Sequence, residues 1–198
     1  RDLHSLAELA LDAGGRVLAL RTRSHANVGA YGTPTGVAIQ LLIGPWVTTS
    51  LYDIPLIHLD LTAVLTNTTP TGAYRGAGRP ESIFIIERLM DEAARALDLD
   101  PAELRRRNLI HPDQMPYRNA MGQTYDSGEF ERILDQGLAQ ADWSGFPARH
   151  ADSARRGRLR GRGLASFLEW TGGNAFEEHV SVSIAADAAR MNQLVQQT

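Results

Sequence analysis

Leu56-Ile57-His58-Leu59-Asp60-Leu61-Thr62-Ala63-Val64-Leu65-Thr66 leads through a loop into Ala73-Tyr74-Arg75-Gly76-Ala77-Gly78-Arg79-Pro80-Glu81. In the first stretch Ile57, Leu59, Leu61, Ala63 and Leu65 alternate with His58, Asp60, Thr62 and Val64, which predicts a strand over 56–66 with one buried face. The connection over 67–78 is built from Thr, Pro, Gly and Asn, the residues of a loop. Proline suits the first helical turn, so a helix is expected from about Pro80. Ile83, Ile86, Met90, Ala93 and Leu97, spaced by three and four, give that helix one apolar face. Three glycines just before a helix start let backbone amides approach a ligand, and the positive end of the helix favours an anion, with Arg75 and Arg79 adding to it. A tight turn has the same composition. The spacing fits neither the phosphate loop nor the dinucleotide fingerprint, because no Lys-Ser/Thr pair or strand-linked acid follows.

Upstream, Asp12-Ala13-Gly14-Gly15 is a turn signal between candidate strands at 6–11 and 17–24. Gly29, Gly32, Gly36 and Gly44 then punctuate what reads as a packed, irregular connection. Downstream, Asp100-Pro101-Ala102-Glu103 combines an N-cap acid, proline at the first helical position and glutamate at the third. Asp126-Ser127-Gly128-Glu129 repeats the capping pattern ahead of an apolar face of Phe130, Ile133, Leu134 and Leu138. Residues 148–163 are polar and rich in arginine, and strands are expected at 164–170 and 180–184. Strands, then a helical middle section, then strands make the fold class α+β.

Composition narrows the chemistry. The 198 residues are enough for one large domain or two small ones, and a formal charge of −3 gives no reason to expect nucleic acid or a membrane as partner. There is no cysteine, which removes disulfides, thiolate zinc, iron–sulfur ligation and a cysteine nucleophile. No apolar run approaches the roughly 20 residues that span a bilayer. Arg155-Arg156-Gly157-Arg158-Leu159-Arg160-Gly161-Arg162 has no interleaved aromatics, so it reads as a solvated linker or a surface beside a partner subunit. His4, His25, His58, His111, His150 and His179 show no metal-ligand spacing. Glu169-Trp170-Thr171-Gly172-Gly173 reads as a strand terminus with a packed tryptophan, or as the lining of a cavity. The N-terminus has neither a methionine nor a secretory pattern, so the chain is expected to begin within a longer polypeptide or to have been trimmed.

Asn67-Thr68-Thr69-Pro70-Thr71-Gly72-Ala73-Tyr74-Arg75-Gly76-Ala77-Gly78-Arg79-Pro80-Glu81 resembles the large subunits of molybdenum hydroxylases: xanthine dehydrogenase, aldehyde oxidoreductase and carbon monoxide dehydrogenase-like proteins. The likeness extends to Ser24-His25-Ala26-Asn27-Val28-Gly29-Ala30-Tyr31 and to Pro101-Ala102-Glu103-Leu104-Arg105-Arg106-Arg107-Asn108-Leu109-Ile110. It also takes in Thr124-Tyr125-Asp126-Ser127-Gly128 and Gly163-Leu164-Ala165-Ser166-Phe167, in collinear order over roughly residues 1 to 187. The resemblance implies part of a first molybdenum-cofactor-binding domain over 1–147, and a linker with the truncated start of a second over 148–198. It implies a molybdenum–molybdopterin cytosine dinucleotide cofactor, with Tyr74, Arg75 and Gly76 at the cofactor and Ala77 in the substrate pocket. It further implies flavin-binding and iron–sulfur partners, a small-molecule substrate and a cytoplasmic setting.

Where the purine-oxidising members carry an aromatic residue in this loop, the chain has Ala77; where they carry an arginine about nine residues before Tyr52-Asp53-Ile54-Pro55, it has Ile43. The carbon monoxide dehydrogenases hold copper on a cysteine directly after the arginine. Here that residue is Gly76, so no copper is expected. The family's upstream Gly-Gly-x-Phe-Gly and downstream Gly-Gln-Gly and Gly-Glu-Gly segments, the last with the catalytic glutamate, are not in the chain. After Asp187 the tail also departs from the family pattern, which reads as a truncation, a boundary or a frameshift. The parent is thus expected to hydroxylate an aldehyde or N-heterocycle with water-derived oxygen, and the chain by itself to be inactive. The alternatives are a non-catalytic remnant or subunit-interaction module of the same fold, and an anion-binding domain.

Overall fold

A computed structural model describes residues 2–169, 178–184 and 191–197. The chain divides into two compact units, Arg1–Leu168 and Glu169–Thr198. The first unit opens with strands β1 (Leu3–Leu11) and β2 (Val17–Gly29), paired antiparallel. Their turn closes through Asp12, whose carboxylate accepts from the amides of Gly14 at 2.9 Å and Arg16 at 2.8 Å. Strand β3 (Leu56–Leu65) lies parallel to β2, so the sheet order is β1-β2-β3 and residues 30–55 form a crossover.

That crossover corrects the sequence reading of an irregular connection. It is helical: α1 (Pro34–Ala38), a π-helical turn (Ile39–Ile43) and α2 (Gly44–Trp46) follow one another. Thr33 caps α1 by accepting from the Gly36 amide at 3.1 Å. The strand over 56–66 is present, with a weaker buried face than its alternation predicts. Ile57, Leu59 and Leu61 are half-buried, whereas Ala63 and Leu65 are exposed, because β3 is an edge strand of the sheet.

Helix α3 (Arg79–Ala96) packs Ile86, Met90, Ala93 and Ala94 into the core beside Val17, Leu20, Leu51, Ile54 and Leu104. Helix α4 (Pro101–Asn108) starts as its capping residues predict, with Asp100 accepting from the Ala102 amide at 2.8 Å. Glu103 bonds to Arg107 at 2.9 Å rather than completing a capping box. A short hairpin, β4 (Tyr117–Arg118) with β5 (Thr124–Tyr125), precedes α5 (Phe130–Gln140). Here the repeated capping pattern does not act: Glu129 occupies the N-cap but caps no helix amide, its carboxylate pairing instead with Arg132 of the first turn. Leu134 is buried, but Ile133 is 61% exposed.

Residues 148–155, read from sequence as polar linker, belong to α6 (Phe146–Arg155). The arginines after it are partly pinned to the surface. Arg162 stacks 3.9 Å from the Trp143 ring centroid and reaches Asp100 at 3.3 Å. Residues 164–169 form no strand; Leu164, Ser166 and Leu168 face inward while Ala165, Phe167 and Glu169 face out. In the second unit β6 (Glu178–Ile184), which covers the expected strand at 180–184, pairs antiparallel with β7 (Met191–Gln197). Residues 170–173 lie outside the described residues.

Polar residues tie the first unit together from inside. Asn108, buried, accepts from the Val17 amide at 2.7 Å and donates to Gly15 at 2.8 Å, joining α4 to the β1–β2 turn. Arg105 is fully buried and pairs with Glu87 at 2.8 Å and Asp91 at 2.9 Å. It also donates to the carbonyl of Leu164 at 3.2 Å, and Glu87 accepts from the Tyr52 hydroxyl and from the Ser166 amide at 3.0 Å. Burial, then the Glu87 charge, pushes the Tyr52 phenol well above the ordinary tyrosine range.

Removing one partner strands the other charge in the core, so Arg105→Met is expected to cost about 3–5 kcal/mol, measured by urea unfolding. A phenol raised in the folded state stabilises fully below its unfolded pKa of about 10 and loses that contribution as pH rises beyond it. Stability is therefore expected to fall above about pH 10, with a slope that Tyr52→Phe flattens by up to about 1.4 kcal/mol per pH unit. An unchanged slope in Tyr52→Phe counts against the buried phenol.

Candidate functional site: the 72–78 turn

From the end of β3 the chain runs back across the end of β2 and along the helical crossover. Thr66 donates its amide to Gly29 at 3.0 Å, the Ala30 amide to Thr68 at 2.9 Å, and the Thr71 amide to Val28 at 3.2 Å. Approach to the crossover needs the absence of side chains. A Cβ on Gly36 would stand 2.2 Å from the Thr71 carbonyl oxygen, and one on Gly78 would stand 2.6 Å from that of Ile39. Gly36 and Gly44, whose Cβ would stand 3.0 Å from the Gly78 carbonyl oxygen, are thus the points where the helical crossover touches this turn. Ser82 completes the seam by donating its hydroxyl to the Gly44 carbonyl at 2.8 Å.

The turn itself holds three successive residues in the left-handed region: Gly76 at φ +91°, Ala77 at +46° and Gly78 at +88°. The Ala77 amide closes onto the Tyr74 carbonyl at 2.8 Å, and the Arg79 amide onto that of Gly76 at 3.0 Å. Such a backbone costs an L residue roughly 1–2 kcal/mol, so Ala77 persists there because the seam on either side fixes it.

All four residues singled out by resemblance lie on this one turn. Tyr74 is 80% exposed, Arg75 is exposed, and Gly76 and Ala77 are half-buried. Arg75 makes no ion pair among the described residues. At Gly72 a Cβ would meet nothing within 4 Å. The outer side of residues 73–75 is exposed and carries an unneutralised guanidinium, which fits an anionic, phosphate- or oxo-bearing group.

Two features of the expected anion cradle are corrected. Arg79 does not project beside Arg75; its Nη1 turns back to the Gly76 carbonyl at 3.4 Å. The start of α3 is also partly consumed, since the Arg79 amide bonds within the turn, Pro80 has no N–H, and the Ser82 amide bonds to Gly78. Ile43, at the position of the absent arginine, is half-buried in the π-helical turn. Among the described residues no group of three or more His, Asp or Glu is placed to hold a metal ion. Sequence reasoning missed Gly36, Gly44 and Ser82. The eight-residue spacing of the two glycines, one side of a helix, was the available signal.

Residues 1–109 match the molybdopterin cofactor-binding domain. The chain is 36% identical over 183 residues to the carbon monoxide dehydrogenase large chain of Hydrogenophaga pseudoflava, covering 87% of this chain and 22% of that one. It is 31% identical to the nicotine 6-hydroxylase large subunit of Paenarthrobacter nicotinovorans, covering 92% of this chain and 22% of the relative. The crystal structure of quinoline 2-oxidoreductase from Pseudomonas putida 86 superposes with a TM-score of 0.75 at 35% identity, over 79% of this chain and 20% of that one. The chain belongs to the molybdopterin cofactor-binding domain family and corresponds to part of a molybdenum hydroxylase large subunit. It spans about a fifth of the length of these relatives. No helix among the described residues is long and apolar enough to cross a membrane.

The seam makes a paired expectation. Gly78→Ala, which meets the Ile39 carbonyl in a left-handed backbone, is expected to cost upwards of about 2 kcal/mol. Gly72→Ala, with open space around it, is expected to stay within about 0.5 kcal/mol of the parent chain. Thermal denaturation of both variants checks this; equal losses would show that the seam does not set the turn.

Proposed function

We propose that residues 72–77 form one wall of the cofactor site in a molybdenum hydroxylase whose substrate is an aldehyde or an N-heterocycle. The observation that carries this reading is the exposed, unneutralised Arg75 on a turn clamped through Gly78 to Ile39 and Gly44. When bound, the molybdenum–molybdopterin cytosine dinucleotide supplies the oxidation that inserts water-derived oxygen, and flavin and iron–sulfur partners take the electrons. The chain's own part is to bind and orient. Arg75 donates hydrogen bonds to an anionic edge of the group, and the left-handed turn at 76–78 holds the backbone still without reorganisation on binding.

The small side chains give the reading its finer content. Ala77 presents a methyl group where an aromatic ring would stack on a purine, and Ile43 offers no charge to orient one. The substrate is therefore proposed to be other than a purine. Gly76 has no thiol, so this turn supplies no copper ligand. In the same reading residues 1–147 are part of a first cofactor-binding domain and 148–198 lead into a second, and the chain supplies no general base.

Arg75→Ala tests the central claim in the large subunit assembled with its partners. Losing a charge-assisted hydrogen bond of about 1.5–3 kcal/mol predicts a roughly tenfold to hundredfold weaker hold on the cofactor, read as molybdenum and cytosine nucleotide per chain. Because the side chain is exposed, thermal stability of the variant without cofactor should be unchanged. Full cofactor content in the variant would remove Arg75 from the site. The 198-residue chain alone is expected to carry no stoichiometric molybdenum; metal at one per chain would overturn the view that it is one wall only.

A further inference from the structure

A cavity of about 40 Å³ lies between the inner face of the sheet, the π-helical turn and the start of α3. Its polar lining comes from Thr22, Ser24, Gln40, Thr48, Glu81 and Ser82, and Gly78 borders it from the turn. Gln40 is 5% exposed, and its Nε2, a donor of two hydrogen bonds, meets no acceptor among the described residues. Leaving a buried amide without a partner is costly, and a polar space larger than roughly 10–15 Å³ takes up water. The surroundings complement that donor: Glu81 brings a carboxylate, and Thr22, Ser24 and Thr48 bring hydroxyls able to accept or donate.

We propose that this cavity is a specific binding site for water, with one bound water accepting from Gln40 Nε2 and donating to the hydroxyl and carboxylate groups opposite. Gln40 then acts as a positioning residue for the 75–78 turn. Its own segment carries Ile39 and Gly44, the two residues on which Gly78 rests, and the hydrated cavity fills the space directly behind that contact. A ligand held by Gln40 Nε2 must accept its hydrogen bond, which water does and a bare cation cannot. The site stands on buried geometry alone and does not depend on which group binds at Arg75; only its consequence for catalysis rests on the cofactor reading.

A high-resolution crystal structure of the full chain tests the site. Ordered water within about 2.7–3.2 Å of Gln40 Nε2 is expected; a dry cavity, or Nε2 bonded directly to a protein acceptor, overturns the proposal. Gln40→Met keeps nearly the same volume and deletes the amide. In that variant amide exchange at Ala77 and Arg79, the two bonds that close the turn, should quicken on the order of tenfold. Exchange in the core of α3 should stay unchanged. Unaltered exchange at Ala77 and Arg79, or equal acceleration throughout, would deny Gln40 a positioning role. Cofactor content is not read in either measurement, so a failure at Arg75 and a failure here remain distinguishable.

Discussion

Arg105 is a guanidinium with no access to water, held by Glu87, Asp91 and the carbonyls of Pro101, Glu87 and Leu164. Desolvating such a charge is expensive, and the expense is offset because each of the three guanidinium nitrogens finds an acceptor. Burial opposes its charge, yet the facing Tyr52 and Glu87 outweigh it and hold its pKa above the ordinary arginine range. The partners come from four places in the chain: the end of the crossover, α3, α4 and the stretch at 164–166. The cluster therefore does what nonspecific apolar packing cannot. It selects one register of α3 against α4, because sliding either helix by a turn would strand a charge.

That register sets the other end of α3. The helix is a rigid rod of eighteen residues, and its buried ring of Ile86, Met90 and Ala93 sits on the sheet beside the ion cluster. With its body fixed, its first turn must meet the helical crossover at Gly44, and the chain entering it must pass over Ile39. Gly78 and Gly44 make that approach sterically feasible, and Ser82 binds it. Rigidity at the 75–78 turn is thus a consequence of core packing some distance away. A turn mounted in this way has little conformational freedom left to lose.

Much of the scaffold was legible in the chain. Asp12 with Gly14 and Gly15 marks the first hairpin, Asp100 with Pro101 marks α4, and the three- and four-residue spacing marks α3. These signals are local, since a cap or a turn is satisfied by residues within four positions. Failures fell where a local signal met a tertiary competitor. The crossover glycines suggest an irregular connection because glycine disfavours an isolated helix, yet the turn lying over them offsets that preference through close contact. The capping pattern at 126–129 has no effect because the chain enters α5 at Glu129 without presenting a side chain to the helix amides. The alternation at 164–169 is real, but its inward side meets the ion cluster and a helix, not a neighbouring strand.

Residue identity by itself singled out the candidate turn, since Tyr74, Arg75, Gly76 and Ala77 are contiguous and their motif resembles the family's. It also determined the chemistry the turn lacks: a thiol at 76 and an aromatic ring at 77. Tertiary structure alone decided which of two arginines faces outward. Arg75 and Arg79 carry the same charge in the same segment, but Arg79 turns back to the Gly76 carbonyl and is half-buried, whereas Arg75 stays exposed. The reason is geometric. A sequence specifies which groups are available, whereas burial and close approach, which involve residues about forty positions apart, decide which remain open to a ligand.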